Sequence, residues 1–310
     1  MDKPALIRMI KEIGRGKNAA RDLNRDDARA LFAAMLANEI PDLQLGAVLI
    51  ALRIKGESLD ELAGFLDACE ACYPHLNAPA GTVPVVIPAY NGSRKLPNLT
   101  PLLAQLIARE GVPVLVQGVT HDAGRVSTCE VFAAMGIRAA RSAQEAQEQL
   151  AACNLAFISL DVLASPLARV LALRGAIGLR SSGHTLAKML QPFTTPAVRL
   201  VSVTHPEYLV RMREFFTQHA ADALLLRGAE GEAAAHPRRE PVMEWCDGKT
   251  SQAWTAAAEE NPALPENNDV AVTAAWVADV LAGGCPAPAA ILHQVACCCR
   301  AARERTNLNK

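Results

Sequence analysis

Cations spaced for phosphate are the residues of this sequence with the clearest chemical use. Arg169, Arg174, Arg180 and Lys188 form one set, and Arg94 and Lys95 follow Gly92 in the turn-rich stretch YNGSRKLPN. Arg15 and Lys17 stand in RGKNAAR, with Lys11 and Arg21 on either side. Arg199, Arg211 and Arg213 form another group, as do Arg300, Arg303, Arg305 and Lys310. A guanidinium presents a planar fork of N–H donors that fits a carboxylate or a phosphate in two parallel hydrogen bonds. Several cations along one surface hold a polyanion by displacing its condensed counterions. An ordinary solvated face also describes each group taken alone.

Other reactive residues read as structural. His184, in SSGHT, has the reach to touch a phosphate and is also the kind of histidine that caps a helix. Cys69 and Cys72 make one CxxC pair at an apparent helix end, with no second pair to complete a zinc site. Cys297, Cys298 and Cys299 are adjacent, so a helix sends them in three directions; they read as small core residues with one exposed thiol. Ser181 and Ser182 have no matching His/Asp order for a nucleophilic triad. Glu230 and Glu232 are candidates to bind Mg2+ as a strand-end pair. No catalytic residue and no metal site is assigned.

The 310 residues allow two domains, and a hydrophobic share of 51% supplies a sizeable core. Aromatic residues are 4%, too few for a surface built on repeated base stacking. The formal net charge is −1, so a polyanion partner must be met by local clusters and balanced by an opposing acidic face. Asp2, Glu12, Glu57, Asp60, Glu61, Asp67, Glu70, Glu259, Glu260 and Glu266 are the acids available for that face. The start is polar and basic, and no run of about 18 apolar residues occurs, so neither a signal peptide nor a membrane span is expected. Nine cysteines without a secretory context suit a reducing cytoplasm.

The elements that must position these residues fall into two kinds. Asn24, followed by Asp26 and Asp27, starts a helix through Leu31, Met35 and Leu36. A second helix spans about 44–53, and Ser58 with Glu61 forms a capping box for a third carrying Leu62, Phe65 and Leu66. Breakers in 77–84 mark a linker. Strand-like runs then recur at 83–87, 113–117, 155–160, 198–203 and 223–226. Helical patterns lie between several of them, at 102–109, 129–135 and 142–152. This alternation predicts a parallel sheet covered by helices. Helical sequence at about 166–189 interrupts it and could return to the first domain. The tail, 270–305, reads as two helices.

The segment RALFAAMLANEIPDLQLGAVLIALRIKGESLDELAGFLDA (Arg29 to Ala68) resembles the helical domain of the anthranilate phosphoribosyltransferase and nucleoside phosphorylase superfamily. The resemblance extends over most of the chain and weakens after Arg239. It implies an α/β protein with an N-terminal helical bundle domain (1–76 with 163–192) and a larger α/β domain with a mostly parallel sheet (77–162 with 193–310). It also implies a homodimer through the helical domain.

The catalytic motifs depart from that family. Its GTGGDG…NxST loop is here IPAYNGSRKLPNLTP, where Gly92, Asn98 and Thr100 echo the original and Arg94 and Lys95 add charge. Its KHGNRxxSSxxGxAD element is VQGVTHDAGRVSTCEVFAAMG, with Gly118, Arg125, Ser127 and Thr128 as remnants. The Asp-Glu pair that holds metal in the enzymes falls on Ala233 and Ala234 in GAEGEAA. RGAIGLR (Arg174 to Arg180) resembles the substrate-carboxylate motif RxxLGxR. LRSSGHTLAKML…PF, YNGSRKLPNLTPLLA and HPEYLVRM resemble the YbiB-type branch, which implies nucleic-acid binding without marked sequence preference.

The expected partner is therefore DNA or RNA, held through its phosphates by Arg15, Lys17, Arg94, Lys95, Arg169, Arg174, Arg180, His184 and Lys188. Gly92, Asn98, Thr100 and Gly118 would form a vestigial anion loop. No cofactor is expected. The rival is a phosphoribosyltransferase with an altered substrate, which would use Mg2+ and bind through Gly92, Asn98 and Glu230.

Overall fold

The computed structural model describes residues 2–16, 18–204, 206–219, 221–239, 242–256 and 263–308; Lys17, Glu259, Glu260 and Lys310 lie outside them. The chain divides into two compact units, Met1–Pro74 with Leu163–Leu190, and His75–Val162 with Gln191–Lys310.

The smaller unit opens with α1 (Lys3–Ile13), α2 (Arg25–Leu36), α3 (Asp42–Lys55) and α4 (Leu59–Glu70). Asn24 caps α2, its side chain accepting from the Asp27 N–H at 2.8 Å. Phe32 of α2 packs on Phe65 of α4 with ring centroids 5.0 Å apart, and both are fully buried. The two helices approach so closely at Gly64 that a Cβ there would meet the Arg25 carbonyl oxygen at 2.2 Å. Gly56 ends α3 at φ +79°, a conformation that favours glycine.

The larger unit is built on β1 (Val85–Ala89), α5 (Thr100–Arg109), β2 (Val114–Gly118), α6 (Thr128–Ala134), α7 (Ala143–Cys153) and β3 (Leu155–Ser159). After the short α8 (Leu160–Leu163), the chain passes back to the smaller unit for α9 (Ser165–Ala172), α10 (Arg174–Ile177) and α11 (Ser182–Leu186). It then completes the larger unit with β4 (Val198–Val203), α12 (Pro206–Gln218), β5 (Asp222–Arg227), β6 (Val242–Asp247), β7 (Ser251–Thr255), α13 (Val270–Ala282) and α14 (Ala289–Leu308).

The sheet order is β3-β2-β1-β4-β5-β6-β7, parallel from β3 through β5 and antiparallel at β6 and β7. The five parallel strands coincide with the runs read from sequence, because strands covered on both faces are continuous apolar stretches. Helix α12 and the β6–β7 hairpin were not anticipated. The hairpin's edge strand buries only Trp254, so it carries no apolar run. Strand order reverses between β1 and β4, and in such sheets ligands bind beyond the carboxyl ends of the strands at that switch point.

Candidate functional site

At the carboxyl end of β1 the chain enters the loop expected to cradle an anion, and a carboxyl group of the chain itself already sits there. Glu232, 2% exposed, lies in the loop after β5. Its Oε1 accepts from the Gly92 N–H at 2.6 Å and the Asn91 N–H at 3.1 Å. Its Oε2 accepts from the hydroxyls of Thr100 and Thr128, each at 3.3 Å. Gly92 sits at φ +67°, and a Cβ there would meet the Val126 carbonyl oxygen at 2.8 Å.

Asn98 shapes the same turn. Its Nδ2 donates to the Val126 carbonyl and to Thr128 Oγ1, each at 3.1 Å, and its Oδ1 accepts from the Thr100 N–H at 3.1 Å. Burial pushes the Glu232 carboxyl above its ordinary range, and the four donors pull it partly back.

Glu230 does the same for the next stretch. From a left-handed backbone (φ +53°) its carboxylate accepts from three successive N–H groups, those of Arg94 at 2.9 Å, Lys95 at 3.0 Å and Leu96 at 3.1 Å. Burial raises this carboxyl, but the donors of Lys95, Leu96 and Arg94 outweigh it and hold the group below its ordinary value. Successive N–H groups arranged in this way form an anion-binding nest. Two glutamates of one tripeptide thus fill both anion positions of the loop from within.

This arrangement does not fit Mg2+ with phosphoribosyl diphosphate. The carboxylates nearest the family's metal position are engaged with N–H and O–H donors, and Ala233 and Ala234 are buried side chains without donor atoms. Glu230 and Glu232, the candidates for a strand-end Mg2+ pair, instead accept hydrogen bonds from the loop. A Cβ on Gly118 would meet the Ala89 carbonyl oxygen at 2.0 Å, so this glycine permits close pairing of β1 and β2.

The cations differ in how far the fold commits them. Arg94 and Lys95 are exposed, and no described residue pairs with their side chains. Arg125 donates from Nη1 to the Gly92 carbonyl at 3.0 Å, bracing the loop. On the smaller unit Arg174, Arg180 and Lys188 are half-buried. All three act on His184, whose pKa falls to about 4 through burial, Arg180, Arg174 and, more weakly, Lys188.

His184 itself is a correction. It is 6% exposed, is neutral near pH 7, and accepts the Ser181 N–H on Nδ1 at 3.2 Å, so it caps α11 and offers a phosphate no charge. Arg169 donates to the Leu36 carbonyl at the end of α2. Arg15 is paired on its own helix, with Glu12 at 2.8 Å. Both are exposed and each already has a partner within the protein.

The remaining sequence clusters are mostly absorbed by the fold. Arg213 pairs with Glu244, Arg305 with Asp222, and Arg303 with Glu110 at 3.2 Å. Arg300 pairs with Glu304 at 2.7 Å and lies 4.1 Å over the Trp254 ring. Arg199 is buried against Phe216. Three of the acids expected to form one opposing face have individual partners: Asp2 caps α1, Asp67 holds Arg25 at 2.7 Å, and Glu61 is fully buried against Lys55. Cys297, Cys298 and Cys299 are all buried, so none of the three is the exposed thiol expected there.

Fold and loop together define a protein of the phosphoribosyltransferase type whose anion loop has been rebuilt. Residues 7–71 match the glycosyl transferase family, helical bundle domain. The chain is 45% identical over 309 residues, 97% of its length and 96% of the relative's, to the uncharacterized protein YbiB of Escherichia coli (strain K12). It is 28% identical over 219 residues to anthranilate phosphoribosyltransferase of Sinorhizobium medicae (strain WSM419), covering 69% of this chain and 64% of that enzyme.

Two solved structures share the fold. One is anthranilate phosphoribosyltransferase from Thermus thermophilus, with TM-score 0.79 and 21% identity over 98% of this chain and 89% of that one. The other is the Saccharomyces cerevisiae enzyme in complex with PRPP and Mg, with TM-score 0.75 and 12% identity over 99% and 96%. The chain belongs to the anthranilate phosphoribosyltransferase-like family, in its YbiB-type branch.

Proposed function

We propose that the protein binds DNA or RNA through the phosphate backbone, with little sequence preference, and does not transfer a phosphoribosyl group. One observation carries this reading. The loop that would cradle a small phosphorylated substrate is filled by Glu232 and Glu230, while Arg94, Lys95, Arg174, Arg180 and Lys188 keep positive charge near the surface of their units. Surface cations that meet phosphates rather than base edges favour affinity without specificity.

The test is fluorescence anisotropy of labelled single-stranded oligonucleotides of several sequences across a salt series. The double variant Arg174→Ala/Arg180→Ala is expected to lower the salt slope by about 1.4, at about 0.7 per phosphate contact on a single strand, and to weaken all sequences alike. A change in sequence preference would contradict pure phosphate contact. Heat on adding phosphoribosyl diphosphate and Mg2+ at millimolar concentration, in calorimetry, would favour the transferase instead.

We also propose that the protein is a homodimer through the smaller unit. Leu43 and Ile54 of α3 are 88% and 62% exposed, and with Ile50 they edge an apolar groove against Ile10 and Ile13 of α1. A contiguous apolar face of this kind suits a second copy of the chain. Light scattering of Leu43→Asp/Ile54→Asp is expected to give a monomer with unchanged helical content; a dimer of undiminished stability would count against this face. Among the described residues no helix is long and apolar enough to cross a membrane. The free cysteines suit a reducing cytoplasm, where we place the protein.

A further inference from the structure

Arg238 and Arg239 belong to none of the cation groups apparent from sequence spacing. Both are exposed, on the stretch that leaves Glu232 and leads to β6. Gly228 and Ala235 form an antiparallel bridge, so this stretch folds back on itself. Its far end is tightened by the Arg239 N–H donating to the His236 carbonyl and the Arg238 N–H to His236 Nδ1, each at 3.1 Å. A narrow crevice lined by Ser93, Leu96 and Pro97 on one side and by Ala235 and Pro237 on the other sets this turn against the Arg94–Lys95 loop.

The two loops are fastened together. Glu230, from the second, accepts the N–H groups of Arg94, Lys95 and Leu96 in the first. Asn268 Nδ2 donates to the Arg94 carbonyl at 2.8 Å.

Charge on this seam is one-sided. None of Arg94, Lys95, Arg238 and Arg239 pairs with a described carboxylate. Three of the acids on these elements have other work, while Glu266, two residues before Asn268, is exposed. Glu230 serves three N–H groups, Asp122 lies 3.9 Å from Arg125, and Asp269 caps α13 through the Ala271 and Val272 N–H groups. Glu240 follows in sequence and lies outside the described residues. Burial, and then Arg239 and Arg238, lower the His236 pKa from its ordinary value.

We infer that Arg238 and Arg239 join Arg94 and Lys95 in one phosphate-gripping seam, carried wholly by the larger unit, that takes neighbouring phosphates of a nucleic-acid strand. This rests on the nucleic-acid reading and adds residues to it. Long cations on fastened loops can follow a backbone, but without fixed forks against base edges they read no sequence.

The experiment compares wild type, Arg238→Ala/Arg239→Ala and a control pair, Arg138→Ala/Arg141→Ala. All four positions are exposed, and the controls lie elsewhere on the same unit. Binding of a labelled single-stranded oligonucleotide is read by anisotropy from about 50 to 200 mM salt, with thermal midpoints measured alongside. The expected result is a salt slope smaller by about 1.4 and an affinity at least about tenfold weaker near 50 mM salt for the Arg238/Arg239 variant, with the control pair close to wild type. Tight wild-type binding with an unchanged Arg238/Arg239 variant overturns the seam alone. An equal fall in the control pair also overturns it, since the effect is then one of overall charge. Absence of wild-type binding at low salt overturns the nucleic-acid reading and the seam with it.

Discussion

Glu232→Ala is expected to destabilise the protein by about 3–4 kcal/mol, read as a lower urea midpoint at unchanged slope, because it strips an acceptor from buried donors. The Asn91 and Gly92 N–H groups lose their carboxylate oxygen in a turn that water barely reaches, and the Thr100 and Thr128 hydroxyls lose theirs. An unmade hydrogen bond at a buried donor costs more than a made one contributes, so the loss exceeds that of an ordinary surface glutamate.

The same change vacates an anion cradle. Inorganic phosphate at millimolar concentration should therefore restore part of the lost stability of Glu232→Ala, in proportion to RT ln(1 + [L]/Kd), and leave wild type unmoved. Equal stabilisation of both proteins by phosphate would show that the wild-type loop is open, and would return the transferase reading to contention. A variant as stable as wild type would show that Glu232 does not hold the loop together.

Lys55→Met is expected to cost about 3–5 kcal/mol, because it leaves a carboxylate buried without its cation. Glu61 is fully buried, and its Oε2 lies 2.6 Å from Lys55 Nζ. The ammonium also donates to Asp22 Oδ1 at 2.6 Å and to the Gly56 carbonyl at 2.8 Å. Glu61 in turn accepts the Ser58 N–H at 2.8 Å and the Leu23 N–H at 3.0 Å, so one carboxylate joins α3, α4 and the strap before α2. Lys55→Met/Glu61→Gln removes both charges and keeps one acceptor oxygen. It should unfold at a higher denaturant concentration than Lys55→Met alone; the reverse order would mean that the pair is not what stabilises this corner.

These two sites explain why different parts of the chain differed in legibility. The Ser58–Glu61 capping box was readable from sequence because its two residues are close along the chain. Ser58 and Glu61 cap reciprocally three residues apart, Gly56 takes the positive φ that stops α3, and Lys55 reaches Glu61 across that turn. Glu232 and Gly92 are 140 residues apart, so no local pattern marks them as one site. Read locally, GAEGEAA shows an Asp-Glu pair replaced by alanines and two glutamates of unassigned use.

Clusters of arginine misled for a related reason. Adjacency in sequence gives charge density, but whether that charge reaches solvent depends on what folds against it. Glu244 and Asp222 pair with Arg213 and Arg305 from β6 and β5, whereas Arg94 and Lys95 stay exposed without a described partner for their side chains. The Arg238–Arg239 turn comes beside the latter pair only because the loop after β5 closes on the loop after β1.

By itself the sequence determined the secondary elements of the parallel sheet and the capped helices α2 and α4. Each of these rests on residue type or on spacings of a few residues. Only the tertiary structure decided which cations the fold neutralises and what fills the anion loop. A charge is neutralised by whatever lies within a few ångströms of it, and chain order does not fix those neighbours.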